Sequence, residues 1–202
     1  MYENYIKRKL DVAFALVLIL IAAPIMIACA LLIKYESEGP ILFQQTRLGK
    51  YNRVFKVIKF RTMRIQTLDA GQELTDRQRI TKVGAFLRKT SIDELPQLFN
   101  ILMGEMSFIG PRPLLPQYLT LYDQNQQRRH EVTSGISGWA QVNGRNAISW
   151  DEKFKLDVYY VDHISFIVDL KIFFLTIYQV LRRKDVDHSR VDTMPFFKGE
   201  PE

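Results

Sequence analysis

Residues 12–33 read VAFALVLILIAAPIMIACALLI, a run of 22 without a formal charge, set between Lys7, Arg8, Lys9 and Asp11 on one side and Lys34 on the other. As a helix the run is about 33 Å long at 1.5 Å per residue, enough to cross a hydrocarbon core. It is therefore a membrane segment first. Three readings compete: a spanning anchor, a cleaved signal peptide, and a helix that enters the bilayer and turns back. The basic start and small residues around Cys29 suit a signal peptide, but the apolar run continues through Leu31, Leu32 and Ile33. Pro24 removes a backbone donor and clashes with the preceding turn, so a break is expected there. Lys7, Arg8 and Lys9 precede the run, while Lys34, Arg47, Lys50 and Arg53 follow it. The positive-inside preference then puts both ends on the cytoplasmic side, and a re-entrant helix broken at Pro24 satisfies that.

The chain around this run has 202 residues, 47% hydrophobic and 25% charged, which suits one domain with its own core and excludes a disordered chain. A net charge of +6 points to anionic partners without choosing among phosphorylated ligands, acidic lipid and nucleic acid. One cysteine, Cys29, excludes a disulfide framework and a paired-cysteine zinc site.

Beyond the run, 41–46 and 53–62 read as two short strands around Gly49-Lys50-Tyr51-Asn52. The two-residue period puts Lys59 and Arg61 on one face, either converging on a ligand or simply solvated. Residues 75–89 read as an amphipathic basic helix, and Ser91-Ile92-Asp93-Glu94 as a capping box opening another. Pro111-Arg112-Pro113 holds Arg112 in a defined direction. A helix is expected over 114–129, and a loop carrying Trp139 and Arg145 over 134–146. Ser149-Trp150-Asp151-Glu152 forms a second capping box. Residues 164–183 carry an apolar stripe so wide that the helix suits a core or a membrane interface, and Arg182-Arg183-Lys184 favours acidic lipid. The expected class is α+β, mainly helical, with a membrane segment over 1–33, a catalytic domain over 34–184 and a weakly ordered polar tail over 185–202.

No phosphate-binding glycine loop, dinucleotide fingerprint, paired-histidine metal motif or serine elbow occurs. What remains is the acidic pair Asp93-Glu94, with cations at Lys59, Arg61, Arg88, Arg112 and Arg145. Adjacent helical residues point about 100° apart, so the two carboxylates can hold different jobs at one site. One can attack while the other holds metal, or both can merely cap a helix. A helix N-terminus and Arg88 both favour the ionised form, which makes the pair nucleophilic rather than proton-donating.

Lys59-Phe60-Arg61-Thr62-Met63, Arg88-Lys89-Thr90-Ser91-Ile92-Asp93-Glu94-Leu95-Pro96-Gln97, Ile109-Gly110-Pro111-Arg112-Pro113 and Gly138-Trp139-Ala140-Gln141-Val142-Asn143-Gly144-Arg145 together resemble the bacterial sugar transferases. These are small monotopic phosphoglycosyl transferases that move a sugar phosphate from a nucleotide sugar to polyprenyl phosphate. The resemblance continues from Asp157-Val158-Tyr159-Tyr160 to Asp169-Leu170-Lys171, and is strongest to the minimal members acting on N,N'-diacetylbacillosamine phosphate. It implies Asp93 as nucleophile, Asp93 and Glu94 with Mg2+, Arg88, Arg112 and Arg145 around phosphates, and less defined roles for Lys59 and Asp157. It also implies a UDP-sugar and undecaprenyl phosphate as substrates, a covalent aspartyl intermediate, no nucleic-acid partner, and a place on the cytoplasmic face of a bacterial inner membrane. Where close relatives have Ser-Pro at the helix break, this chain has Ala23-Pro24, which keeps the proline effect and loses only a serine hydrogen bond. A metal-dependent glycosyltransferase using Asp185-Val186-Asp187 and a basic membrane adaptor are the other readings.

Overall fold

The apolar run lies within helix α1, Arg8–Glu36, in a computed structural model that describes residues 2–69, 72–144, 148–182 and 196–199. A π-helical segment, Tyr2–Lys7, precedes it. The break expected at Pro24 does not interrupt the helix: helical structure continues from Arg8 to Glu36 with the proline inside. One lost hydrogen bond costs less than the packing on either side supplies. Ala15 is buried with Phe55, Val57, Leu98 and Ile101, and farther along Cys29 and Ile33 are buried with Phe60 and Leu87. Both halves of α1 thus lie on the same globular body, while Leu20, Ile21, Ile27 and Leu31 stay exposed.

Strands β1 (Leu42–Leu48) and β2 (Val54–Phe60) form the expected antiparallel hairpin, with Phe43 opposite Lys59 and Arg47 opposite Phe55. Tyr51 and Asn52 make its turn at φ of 55° and 59°. A minor hairpin pairs β3 (Leu68–Asp69) with β4 (Gln72–Glu73). The single basic helix expected over 75–89 is two: α2 (Asp76–Arg79) and α3 (Lys82–Thr90), divided where Ile80 bridges Met63 and Thr81 caps α3. Helix α4 (Gln97–Met103) packs on β2 and α1, and β5 (Ser107–Ile109) pairs in parallel with β6 (Gly135–Ser137). The region expected as one helix over 114–129 is a 3-10 stretch, Pro116–Leu121, a short α5 (Gln124–Gln127) and a second 3-10 turn, Arg128–His130. The loop expected over 134–146 contains β6 and α6 (Trp139–Asn143).

The capping box at Ser149 is present and opens α7 (Trp150–His163). Helix α8 (Phe166–Arg182) buries Asp169 and Ile172 against this body and leaves Ile167 77% and Leu181 76% exposed, along with Phe173, Phe174 and Tyr178. That face has the composition expected of an interfacial helix. Arg183 and Lys184 lie outside the described residues. Of the polar tail only 196–199 are described, and there Phe197 is 5% exposed, inserted among Tyr118, Trp150 and Phe154. An aromatic side chain buries enough apolar area to seat a short segment in this way.

Candidate active site

Three local devices bring the acidic pair to the hairpin. Ser91, at φ 58°, ends α3 in the left-handed conformation, and Ile92–Glu94 is a 3-10 turn. The capping box expected at Ser91 is therefore absent, because its backbone reverses the chain and its side chain caps nothing. Gly84 lets α3 touch the end of the hairpin: a Cβ there would stand 2.0 Å from Thr62 O. Arg88 then reaches back, donating from Nε to Thr62 Oγ1 at 2.8 Å. Across the site, Gly110 lies so close to Gly135 and Thr133 that a Cβ would clash with backbone, and this contact sets Pro111-Arg112-Pro113 in place.

Glu94 is clamped. Its Oε1 accepts from Lys59 Nζ at 2.6 Å and from Arg112 Nη2 at 2.9 Å. Burial alone would raise its pKa, but the charges and hydrogen bonds of Arg112 and Lys59 prevail and hold it at about 2. Asp93 has no hydrogen-bond or ion-pair partner among the described residues. Burial pushes its carboxyl above the ordinary aspartate value against the pull of Lys59, and the Glu94 charge adds to the push. The direction reverses the expectation of a helix N-terminus lowering it, since a single 3-10 turn supplies little dipole. Neighbouring acids whose environments separate their pKa values hold different roles. Glu94 is a fixed anion, and Asp93 is a poorly solvated carboxylate whose oxygens are unengaged among the described residues.

The other expected residues divide. Lys59, Arg88 and Arg112 surround the pair, and the Arg112 side chain is still 47% exposed. Arg61 does not converge with Lys59; it donates to the backbone carbonyls of Ser37 and Glu38 beyond the strand end. Asp157, expected to bind substrate, is 1% exposed and engaged by Arg129, with Arg129 Nη2 2.7 Å from its Oδ2. The same Nη2 donates to Arg112 O at 2.7 Å, so Asp157 acts through Arg129 on the backbone of Arg112. Lys7 and Arg8, the basic flank of the apolar run, are engaged by the globular body. Lys7 pairs with Asp169 at 2.5 Å, and Arg8 bonds the carbonyls of Ile101 and Leu102. Arg145 and the Asp185-Val186-Asp187 motif lie outside the described residues.

Two contributions escape the sequence reading. Arg129 is one, since nothing local marks its buried partner. The second is the inner face of β1, whose Phe43, Gln45 and Arg47 line one cleft with Lys59 and Arg112; the two-residue period that aligned Lys59 would have aligned these as well. No group of three or more His, Cys, Asp or Glu able to cage a metal occurs among the described residues. Magnesium does not need one, because it is commonly held by one or two carboxylates with waters and substrate phosphates. The Asp93 oxygens beside Glu94, unengaged among the described residues, fit that donor set.

The sequence profile of the bacterial sugar transferase family matches residues 2–183. The chain is 46% identical over 194 residues to the "Uncharacterized sugar transferase EpsL" of Bacillus subtilis (strain 168), covering 96% of each. It is 43% identical over 185 residues to a UDP-N-acetylgalactosamine-undecaprenyl-phosphate N-acetylgalactosaminephosphotransferase of Aeromonas hydrophila, covering 88% of this chain and 44% of that one. It is 39% identical over 187 residues to a UDP-glucose:undecaprenyl-phosphate glucose-1-phosphate transferase of Escherichia coli (strain K12), covering 88% of this chain and 40% of that one. The chain thus spans less than half the length of the last two. With a match that takes in the hairpin, the acidic turn, the Arg112 segment and α8, the chain belongs to the bacterial sugar transferase family.

Proposed function

We propose that the chain is a polyprenyl-phosphate sugar-1-phosphate transferase, taking a UDP-sugar and undecaprenyl phosphate and releasing UMP. The observation that carries this reading is the division within the acidic pair: Glu94 immobilised by two cations, Asp93 poorly solvated and without a partner among the described residues. In the first step an Asp93 oxygen attacks the β-phosphorus of the UDP-sugar, the bond to the bridging oxygen breaks, and UMP leaves with the electron pair. In the second step an oxygen of the lipid phosphate attacks the same phosphorus, freeing Asp93 and leaving a polyprenyl diphosphate sugar. Lys59, Arg88 and Arg112 orient the phosphates and balance their charge. Asp93 and Glu94 would hold magnesium, whose chemistry there is to neutralise diphosphate oxygens.

The relatives' names carry N-acetylgalactosamine and glucose; resemblance to the minimal members adds N,N'-diacetylbacillosamine. The chain would work at the cytoplasmic face of a bacterial inner membrane as a monotopic protein, entering and leaving on one side. Ties between one globular body and both ends of α1 support this, as does the exposed apolar face of α8.

The test is a screen of these three UDP-sugars with undecaprenyl phosphate and Mg2+. One of them should release UMP, and omitting the lipid should leave one sugar-phosphate mass on Asp93. Release of UDP would instead indicate glycosyl transfer and refute the reading.

A further inference from the structure

The hairpin face that carries Lys59 holds side chains the two-step reaction leaves unused. Phe43, Gln45 and Arg47 alternate along β1, opposite Lys59, Val57 and Phe55 of β2, so all three share the Lys59 face. Gln45, Arg47, Lys59 and Arg112 line the same cleft. Arg47 donates from Nη2 to Gln45 Oε1 at 2.6 Å, a neutral partner. Among the described residues no carboxylate stands within ion-pair distance of it, and Glu94 is already engaged by Lys59 and Arg112.

The cleft is therefore short of negative charge. Lys59 and Arg112 share Glu94, whereas Arg47, in the same cleft, has no ion-pair partner among the described residues and feels the charge of Arg112. Burial and the Arg112 charge pull the Arg47 guanidinium down to about 10. Two guanidinium groups brought together without a shared anion repel, and an anion between them removes the repulsion. A guanidinium fork fits phosphate oxygens in particular. Gln45 sets the direction of that fork.

We propose that Arg47, held by Gln45, is a further phosphate-binding residue of this cleft and takes a substrate phosphate jointly with Arg112. The assignment rests on the transferase reading above. The phosphate has two sources: the α-phosphate that departs in UMP, or the phosphate of the polyprenyl acceptor.

The experiment compares the full chain in detergent with Arg47→Gln, Arg47→Lys and Gln45→Ala. It reads KM for UDP-N-acetylgalactosamine, or whichever UDP-sugar turns over, KM for undecaprenyl phosphate, the inhibition constant of UMP, and the thermal unfolding midpoint. Arg47→Gln should raise one KM about tenfold, the loss of one charge-assisted hydrogen bond, with an unchanged unfolding midpoint. Arg47→Lys should recover part of it. If the α-phosphate is the ligand, the UDP-sugar KM and the UMP inhibition constant rise together while the lipid KM stays. If the lipid phosphate is the ligand, only the lipid KM rises. Both KM values within about twofold of the unaltered chain would overturn the proposal. Should Arg47→Gln fail to fold, Gln45→Ala must raise the same KM, and unchanged values there overturn it equally. If the unaltered chain releases no UMP from any UDP-sugar, the transferase reading falls and this assignment with it. An active chain indifferent to both substitutions removes Arg47 alone.

Discussion

Lys7 Nζ lies 2.5 Å from Asp169 Oδ2, a buried ion pair between the segment that leads into the membrane helix and α8. Asp169 also accepts from Tyr2 OH and Tyr160 OH, each at 2.6 Å, so one carboxylate joins the N-terminal segment, α7 and α8. Asp169→Ala strands the buried Lys7 ammonium and the Tyr2 hydroxyl, while Tyr160 OH keeps Ile109 O as an acceptor at 3.3 Å, and should cost about 3 kcal/mol. Lys7→Met leaves the carboxylate with both tyrosine donors and should cost less. Thermal unfolding in detergent orders the two variants, and equal losses would mean the tyrosines contribute nothing.

The acidic pair makes a separable prediction. Asp93→Asn should abolish the covalent adduct and lower turnover by about 10³-fold or more, whereas Glu94→Gln should keep the adduct, slow the reaction roughly 10- to 100-fold and weaken its Mg2+ dependence. Asp93 must be ionised to attack. With its pKa raised, activity should fall with decreasing pH at values above the ordinary aspartate midpoint, while Glu94, at about 2, stays charged throughout that range. A pH profile flat down to the ordinary aspartate range would contradict the environment assigned to Asp93.

What could be read from the chain follows the range of the interactions. The turn around Gly49-Lys50-Tyr51-Asn52 and the Ser149–Glu152 capping box are local, and both occur where their residues predict. Ser91–Glu94 carries the same letters as a capping box, yet Ser91 reverses the chain, because the course of α3 is set by Gly84 against Thr62. Lys7 reads in the sequence as a basic flank of the apolar run, and its buried partner Asp169 lies too far along the chain to be inferred from it. Arg129 gives no periodic signal, and its value to the site appears only through Asp157 and Arg112 O. The acidic pair and the cations around it were legible as residue types; which carboxylate is clamped and which is unengaged depended on Lys59 and Arg112 arriving from other elements.

Buried His130 carries a pH signature of stability. Its Nδ1 lies 3.2 Å from Gly49 O, and burial, with Arg129 adjacent, lowers its pKa to about 3. The folded value lies below that of the unfolded chain, so the unfolded state takes up the proton first. Stability is complete above about pH 6.5 and declines as pH falls toward 3, with a slope of at most about 1.4 kcal/mol per unit. The stabilisation from Glu94 is complete above about 4.5 and is lost only below it, so between about pH 6.5 and 4.5 the decline due to His130 stands apart. Unfolding midpoints measured between pH 7 and 5 should fall for the unaltered chain and fall less for His130→Asn. Parallel curves would show that His130 is not the proton acceptor.

The ends of α1 predict topology. At its start Arg8 bonds the carbonyls of Ile101 and Leu102, and Asp11 Oδ1 accepts from Phe108 N at 3.2 Å. At its end Glu36 accepts from Lys82 N at 2.7 Å and Val83 N at 2.9 Å. One globular body therefore holds both termini of a helix of 29 residues, roughly 43 Å long. A chain that crossed the bilayer would have to release one set of ties, and releasing the start also breaks the Lys7–Asp169 pair and leaves the buried Asp169 carboxylate without its cation. It would further carry Lys7, Arg8 and Lys9 to the outer side against the positive-inside preference. The helix should accordingly dip into the cytoplasmic leaflet and keep both ends inside. With Cys29 replaced and a cysteine placed at Asn4, an impermeant thiol reagent should label the protein only after the cells are opened. Efficient labelling in intact cells would show that the ties at one end are given up in the membrane, and the monotopic reading would fail.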